Sequence, residues 1–211
     1  MNGGKALAVE QYARKNKLNF IRFDCRGHGK SEGKFEDFTL SDWRKDLLDI
    51  IDNVARGPQI LIGSSMGGWL MMLAAKARPQ RIKGLIGLAA APDFGKDLYK
   101  ALNKKNKKEI STKGITKYTS YGFSYYLTKK FFVEAENNRV LKKPFRFSKP
   151  MVLIHGLKDN VVKEDVPRKI LKKVTGKNVN IIYLKESDHR LSKENDLKMI
   201  TQSIEYIRKI K

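Results

Sequence analysis

Apolar residues follow two spacings along this chain, and the two alternate. Helical spacing appears in segments 5–16, 42–54, 66–78, 166–174 and from about Ser192 onward. Short apolar runs typical of buried strands lie at 19–24, 59–63, 82–91, 150–154 and 179–184. Strands that alternate with helices predict an α/β fold, in which a mostly parallel sheet is covered by helices on both faces.

The stretch 93–149 interrupts this alternation. It is rich in lysine and aromatic residues and is too long for a plain connection. A lid or substrate wall would explain it, and so would a pair of packing helices with a solvated loop. We expect a single domain over residues 1–211 with a lid-like insertion at 93–149.

Length and cysteine content suggest a cellular setting. The chain has 211 residues, one cysteine (Cys25) and no apolar run near the length of a membrane span. Its N-terminus lacks the apolar core of a signal peptide, and one cysteine cannot form an internal disulfide. We therefore expect a cytoplasmic protein without a transmembrane segment, and Cys25 is interpreted as a structural or incidental thiol.

The charge balance is strongly basic. Forty-four Lys and Arg against 22 Asp and Glu give a net charge of +22. Attraction to nucleic acid, anionic lipid or acidic partners is one interpretation, and a solvated lysine coat is the other. The lysines are spread along the chain with no nucleic-acid-binding motif, which favours the coat and predicts no specific nucleic-acid partner.

A G-x-S-x-G motif at residues 63–67 carries the candidate chemistry. An apolar run precedes it and a helical pattern follows, as a nucleophile elbow requires. Ser65 would be the nucleophile, and the backbone N–H of Met66 would face an oxyanion formed there. Side chains at positions 63 and 67 are expected to collide with the turn, which explains Gly63 and Gly67.

A serine nucleophile needs a histidine base, and the chain has three candidates. His189 follows the last predicted strand, in a loop that could reach over the sheet edge. His155 ends an inner strand, and His28 lies in a glycine-rich loop after the run at 19–24. The chain order serine, acid, histidine of the elbow-type hydrolases selects His189.

The same order selects Asp159 as the acid that orients the base. Asp93 is the rival because it also follows a predicted strand, and Asp188 is badly placed because it adjoins His189. The predicted triad is therefore Ser65, Asp159 and His189.

These residues resemble the α/β-hydrolase superfamily over nearly the whole chain. Residues 23–31 look like the D-x-R-G-H-G-x-S loop of the serine-aminopeptidase-like hydrolases. The segments around the elbow and around residues 188–192 are similar to a subgroup of bacterial esterases related to the mitochondrial palmitoyl-protein thioesterase, also described as mycophenolic acid acyl-glucuronide esterase. The resemblance implies hydrolysis of esters or thioesters through an acyl-enzyme, with a small-molecule or acylated-protein substrate and with no cofactor and no metal.

One departure from the family matters for catalysis. The family has three strands ahead of the helix that begins here near residue 4, and the third is followed by an H-G loop that supplies a second oxyanion donor. The resemblance places that third strand between the segments 19–24 and 59–63. We expect an N-terminally incomplete hydrolase, either an internal methionine taken as the start or a decayed remnant.

The sequence leaves two other functions open. A remnant could be inactive or could act as a binding protein through its basic surface, and an aminopeptidase of the same fold would share the loop motif. An upstream reading frame without an H-G-containing strand would contradict the interpretation as an internal start.

Overall fold

The computed structural model describes residues 3–120 and 123–210. Its helices are α1 (Gly4–Lys15), α2 (Leu40–Asp49), α3 (Met66–Ala77), α4 (Gly95–Ala101), α5 (Lys104–Lys113), α6 (Lys129–Asn137), α7 (Val166–Lys173) and α8 (Glu194–Lys209). Its strands are β1 (Gln59–Ser64), β2 (Ile82–Leu88), β3 (Ile115–Ser120), β4 (Phe123–Thr128), β5 (Met151–Gly156) and β6 (Val179–Leu184). A π-helical turn at Ile50–Val54 prolongs α2.

The main sheet has the order β1-β2-β5-β6, and every neighbouring pair is parallel. Because parallel strands need crossover helices, the helical segments between them cover both faces of the sheet. The α/β fold class with a mostly parallel sheet is thus confirmed. All four strands end at the same edge, so the residues that follow them can meet there.

Two apolar clusters lie on opposite faces of the sheet. Leu85 and Leu153 pack with α2, α3 and the insertion, whereas Ile86 and Val152 pack with α1 and α8. This division follows from the alternation of side chains along each strand. The helix α3 is apolar nearly all round, and its residues 68–75 are all buried.

The prediction of a strand at 19–24 is wrong. Residues 18–25 have irregular backbone, and in the described part of the chain β1 is an edge strand that pairs with β2 alone. A groove of about 820 Å³ separates Asn19–Phe23 from β1, and side chains of α1, α2 and α3 form its walls. A segment becomes a strand by pairing with a neighbouring strand through hydrogen bonds. In the described residues the run at 19–24 has no such neighbour, because the groove occupies the space where one would lie.

Two further details concern α2 and the insertion. Thr39 is the N-cap of α2, and Asp42 completes a capping box by accepting from the Thr39 N–H and hydroxyl. The insertion contains a hairpin, β3–β4, between α5 and α6, which the sequence pattern does not reveal.

Aromatic side chains anchor the insertion on the sheet-covering helices. Phe131 packs near Phe94 and Trp43, with ring centroids 6.2 and 6.4 Å apart. The Trp69 Nε1–H donates to the Asn138 carbonyl at 2.9 Å in a fully buried contact. The insertion is therefore continuous with the apolar core on the α2–α3 face.

Replacing Trp69 with Phe should lower the free energy of unfolding by about 1–3 kcal/mol, because the buried Asn138 carbonyl loses its indole donor. Urea unfolding followed by circular dichroism measures this. Tyr126→Phe is the control, since Tyr126 is exposed and its change should stay within about 0.5 kcal/mol. Equal stability of the Trp69 variant and the parent would contradict this account of the insertion.

Candidate active site

Ser65 occupies a sharp turn between β1 and α3, as the motif predicts. Its φ of 52° and ψ of −119° are strained for a residue with a side chain. The Ser65 N–H donates to the Leu88 carbonyl at 2.9 Å, and the Ala91 N–H donates to the Ser65 carbonyl at 3.1 Å. The end of β2 therefore holds the strained residue on both sides.

The two glycines of the motif differ in whether a side chain would fit at their positions. A Cβ at Gly63 would lie 2.3 Å from the Gly67 carbonyl oxygen, so β1 and α3 approach too closely for any side chain there. A Cβ at Gly67 would meet nothing within 4 Å, because this residue faces the groove beside β1. The expected collision is confirmed at Gly63 and is wrong at Gly67.

Asp159 and His189 lie together at the edge where the strands end. Nδ1 of His189 is 2.8 Å from Oδ2 of Asp159, whose side chain is fully buried. The other carboxylate oxygen accepts from the backbone N–H groups of Val161 and Val162. Burial alone would raise the pKa of Asp159, but the His189 contact and these two donors outweigh it and hold the pKa below its ordinary value.

Backbone packing fixes the two loops that carry this pair. The Lys158 N–H donates to the Ser187 carbonyl at 2.9 Å, and a Cβ at Gly156 would lie 2.2 Å from the same oxygen. The Ser187 hydroxyl donates to Asp196 in α8, and both side chains are buried. The loop after β5 therefore lies directly on the loop after β6.

The rival acids are committed elsewhere. Asp93 accepts from the backbone N–H groups of Val140 and Leu141 at 2.8 and 2.9 Å, and so ties down the end of the insertion. Burial raises the pKa of Asp93 against the effect of these donors. Asp188 accepts from the Arg190 N–H within its own turn.

The other two histidines contact structural partners. His155 is fully buried with Nε2 3.1 Å from the Val162 carbonyl, and burial lowers its pKa. His28 packs edge-on against Trp43 at 5.0 Å. In its loop, Arg26 pairs with Asp46 at 2.7 Å, so this glycine-rich loop is anchored on α2.

The turn that carries the nucleophile and the loop that carries the base border the same groove, but the two side chains are not hydrogen-bonded to each other in the described structure. His189 lines the same groove as Ser64 and Gly67, the residues that flank Ser65 and Met66. Serine–histidine contacts in unliganded sites often tighten when substrate binds. Met66 is the first residue of α3, a position whose N–H has no partner within the helix and can face an oxyanion.

Metal-ligand clusters, membrane-spanning helices and Cys25 were the other features of interest in residues 3–120 and 123–210. No group of three or more His, Cys, Asp or Glu there could hold a metal ion. In the same residues, no helix has the length and apolar character needed to cross a membrane. Cys25 is half-buried, and burial raises the pKa of its thiol to about 12, which makes it a poor nucleophile.

Comparison with known proteins identifies the family. The family model described as "Serine aminopeptidase, S33" matches residues 4–121, more than half of the chain. The chain belongs to the S33 serine-aminopeptidase family of α/β-hydrolases.

Relatives within this family are named hydrolases. The human mitochondrial palmitoyl-protein thioesterase ABHD10 is 41% identical over 209 residues, which cover 97% of this chain and 68% of that protein. The bovine protein of the same name is 40% identical over the same length. This S33 family member is therefore a hydrolase, and it spans about two thirds of these relatives.

Solved structures agree with this assignment. Mouse alpha/beta hydrolase domain-containing protein 10 has 39% identity and a TM-score of 0.90, with 99% of this chain and 84% of that chain covered. A putative hydrolase from Agrobacterium vitis has 28% identity and a TM-score of 0.93, with 98% and 83% covered.

Some contributors to this S33 site carry no motif. Gly156 and the Ser187–Asp196 contact place the base, yet their spacing in the sequence resembles ordinary loop chemistry. Lys5 also reaches the elbow, where its Nζ donates to Ser64. A lysine in the first turn of a helix opposes the helix dipole, and this unfavourable position is the feature of the sequence that could have indicated a special role for Lys5.

Gly63→Ala and Gly67→Ala should separate the two glycine roles. We expect Gly63→Ala to lower the free energy of unfolding by about 1–3 kcal/mol, since its Cβ overlaps the Gly67 carbonyl. Gly67→Ala should leave stability unchanged or raise it by up to about 1 kcal/mol, since a helical alanine there meets open space. Urea unfolding of both variants is the measurement, and equal losses would contradict the assigned geometry.

Proposed function

We propose that this chain is a serine hydrolase that cleaves carboxylic esters or acyl thioesters through Ser65, His189 and Asp159. The observation that carries the proposal is the 2.8 Å contact between His189 Nδ1 and the buried Asp159 carboxylate, beside a strained serine elbow. An imidazole held in this way has its second nitrogen available as a base.

In the acylation step, His189 Nε2 takes the proton of the Ser65 hydroxyl while Oγ attacks the substrate carbonyl. The Met66 N–H donates to the oxyanion of the tetrahedral intermediate. When the intermediate collapses, the bond to the leaving alcohol or thiol breaks and His189 returns the proton to it. Asp159 stays ionised and stabilises the imidazolium, in keeping with its lowered pKa.

Deacylation repeats these steps with water. His189 removes a proton from water, the hydroxide adds to the Ser65 ester, and the carboxylic acid leaves as Ser65 regains its proton. No cofactor or metal takes part in this sequence.

The names of the relatives support an ester or thioester substrate over an amide. Relatives of which this chain covers about two thirds are named palmitoyl-protein thioesterases. The family description names an aminopeptidase, so amide hydrolysis is the second candidate. Turnover of short-chain esters, acyl thioesters and aminoacyl anilides, measured side by side, distinguishes the two.

A fluorophosphonate probe should label the folded protein at Ser65, because the probe reacts with activated serines. We expect Ser65→Ala to abolish labelling and Asp159→Asn to slow it by about 10⁴, since the imidazole loses its orienting acid. Gel fluorescence over time gives the rates.

Heat-denatured protein and Ser111→Ala, a change at an exposed serine in α5, are the controls. Labelling that persists in Ser65→Ala would contradict the proposed nucleophile. A folded parent protein that fails to label would favour a remnant or binding protein.

We also infer that the groove beside β1 is where a further strand belongs, with a second oxyanion donor at its end. The groove runs along the open edge of β1 and reaches His189 and Ser64. A strand there would have both faces buried, against α1 and against α2–α3, which calls for a continuous apolar run.

Extending the chain at its N-terminus with an apolar strand and an H-G loop that fill this groove should therefore raise the rate of probe labelling. Loss of one oxyanion donor typically costs about 10²–10³ in rate, and this is the expected gain. The same extension carrying Ser65→Ala is the control. Equal labelling rates with and without the extension would contradict the inference that the groove holds a strand with a second oxyanion donor.

A further inference from the structure

Lys5 occupies a position that helix physics disfavours. It is the second residue of α1, and the first turn of this helix contains no acidic residue. A positive charge there opposes the helix dipole, at a typical cost of about 0.3–1 kcal/mol. A residue that breaks a local rule in this way needs a compensating contact or a function.

The contact that Lys5 makes is with the strand end that carries the nucleophile. Its Nζ donates to Ser64 Oγ at 2.8 Å, across 59 positions of sequence. Ser64 is the last residue of β1, and the strained Ser65 follows it directly. Since Ile60 and Ile62 pack with the α1–α8 cluster, the alternation of β1 places Ser64 on the same face.

Several charged groups surround the ammonium group of Lys5. Lys5 is half-buried and lines the groove together with His189 and Arg190. Burial lowers the pKa of Lys5, and the charges of Asp188, Asp196 and Asp159 oppose this effect. These carboxylates come from the loops after β5 and β6 and from α8, and Arg190, in the loop after β6, is a positive charge that lines the same groove.

We propose that Lys5 is a positioning residue for the hydrolase reaction: its ammonium group holds the end of β1 through Ser64 and places a fixed positive charge beside the elbow. The assignment rests on the proposed function of Ser65. The hydrogen bond limits movement of the backbone next to the nucleophile. The charge favours the tetrahedral intermediate, in which the substrate carbonyl becomes an oxyanion.

Four variants separate charge, contact and general stability. Lys5→Met removes the ammonium group at similar length, Lys5→Arg keeps the charge, and Ser64→Ala removes the acceptor alone. Lys15→Met is the matched control, since Lys15 is an exposed lysine at the other end of the same helix. The measurement is kcat and KM for a p-nitrophenyl short-chain ester between pH 6 and 10, with the melting temperature of each variant.

We expect Lys5→Met to lower kcat about tenfold or more with KM within twofold, and Ser64→Ala to give a smaller loss. Lys5→Arg should recover most of the rate, and Lys15→Met should match the parent. Because its folded pKa is lowered, Lys5 loses its proton at a lower pH than an exposed lysine, so the parent rate should fall at alkaline pH. Lys5→Arg should move that fall to higher pH.

Unchanged kcat in Lys5→Met, in a parent that turns over ester through Ser65, would overturn the assignment. Equal rate losses in Lys5→Met and Lys5→Arg, together with a lowered melting temperature in both, would also overturn it, because Lys5 would then have a structural role only. A folded parent without Ser65-dependent turnover would overturn the proposed function itself, and the Lys5 assignment with it.

Discussion

The close approach of β1 to the first turn of α3 is the constraint on which the site depends. Gly63 leaves room for the Gly67 carbonyl where any Cβ would overlap it, so the chain can reverse from strand to helix within one residue. Ser65 then takes a strained conformation with positive φ that costs of order 1–3 kcal/mol. The largely apolar α3 and the hydrogen bonds to the end of β2 hold this residue in place.

The parallel sheet brings the remaining groups to the same edge. Asp159 follows β5 and His189 follows β6, and these neighbouring strands end side by side. Their loops lie in direct backbone contact, so the position of the imidazole is set by Gly156 and by the Ser187–Asp196 contact. The three site residues follow three different strands, and local packing holds each of them in place.

Sequence periodicity was sufficient for the elements that bury one continuous face. The elbow strand, the last strand and the helices around them appear close to their predicted bounds. The spacing of apolar residues within each of these elements is enough to show which face is buried. Features that depend on a partner were not predictable in the same way. The run at 19–24 has strand composition but has no strand beside it in the described part, and the β3–β4 hairpin needed both of its strands to be recognised.

The site shows the same division. Ser65, Asp159 and His189 could be chosen by motif and chain order, whereas the open space at Gly67 and the contact of Lys5 with Ser64 depend on how α1 and α3 lie across the end of β1. These features share one end of the sheet with the strained serine and the groove. The strained serine and the lysine in the first turn of α1 cost stability locally, and the buried residues 68–75 of α3 provide apolar packing that offsets those costs. Apart from Gly63, whose Cβ would overlap the Gly67 carbonyl, changes at the exposed edge of the groove should therefore alter the rate more than the stability.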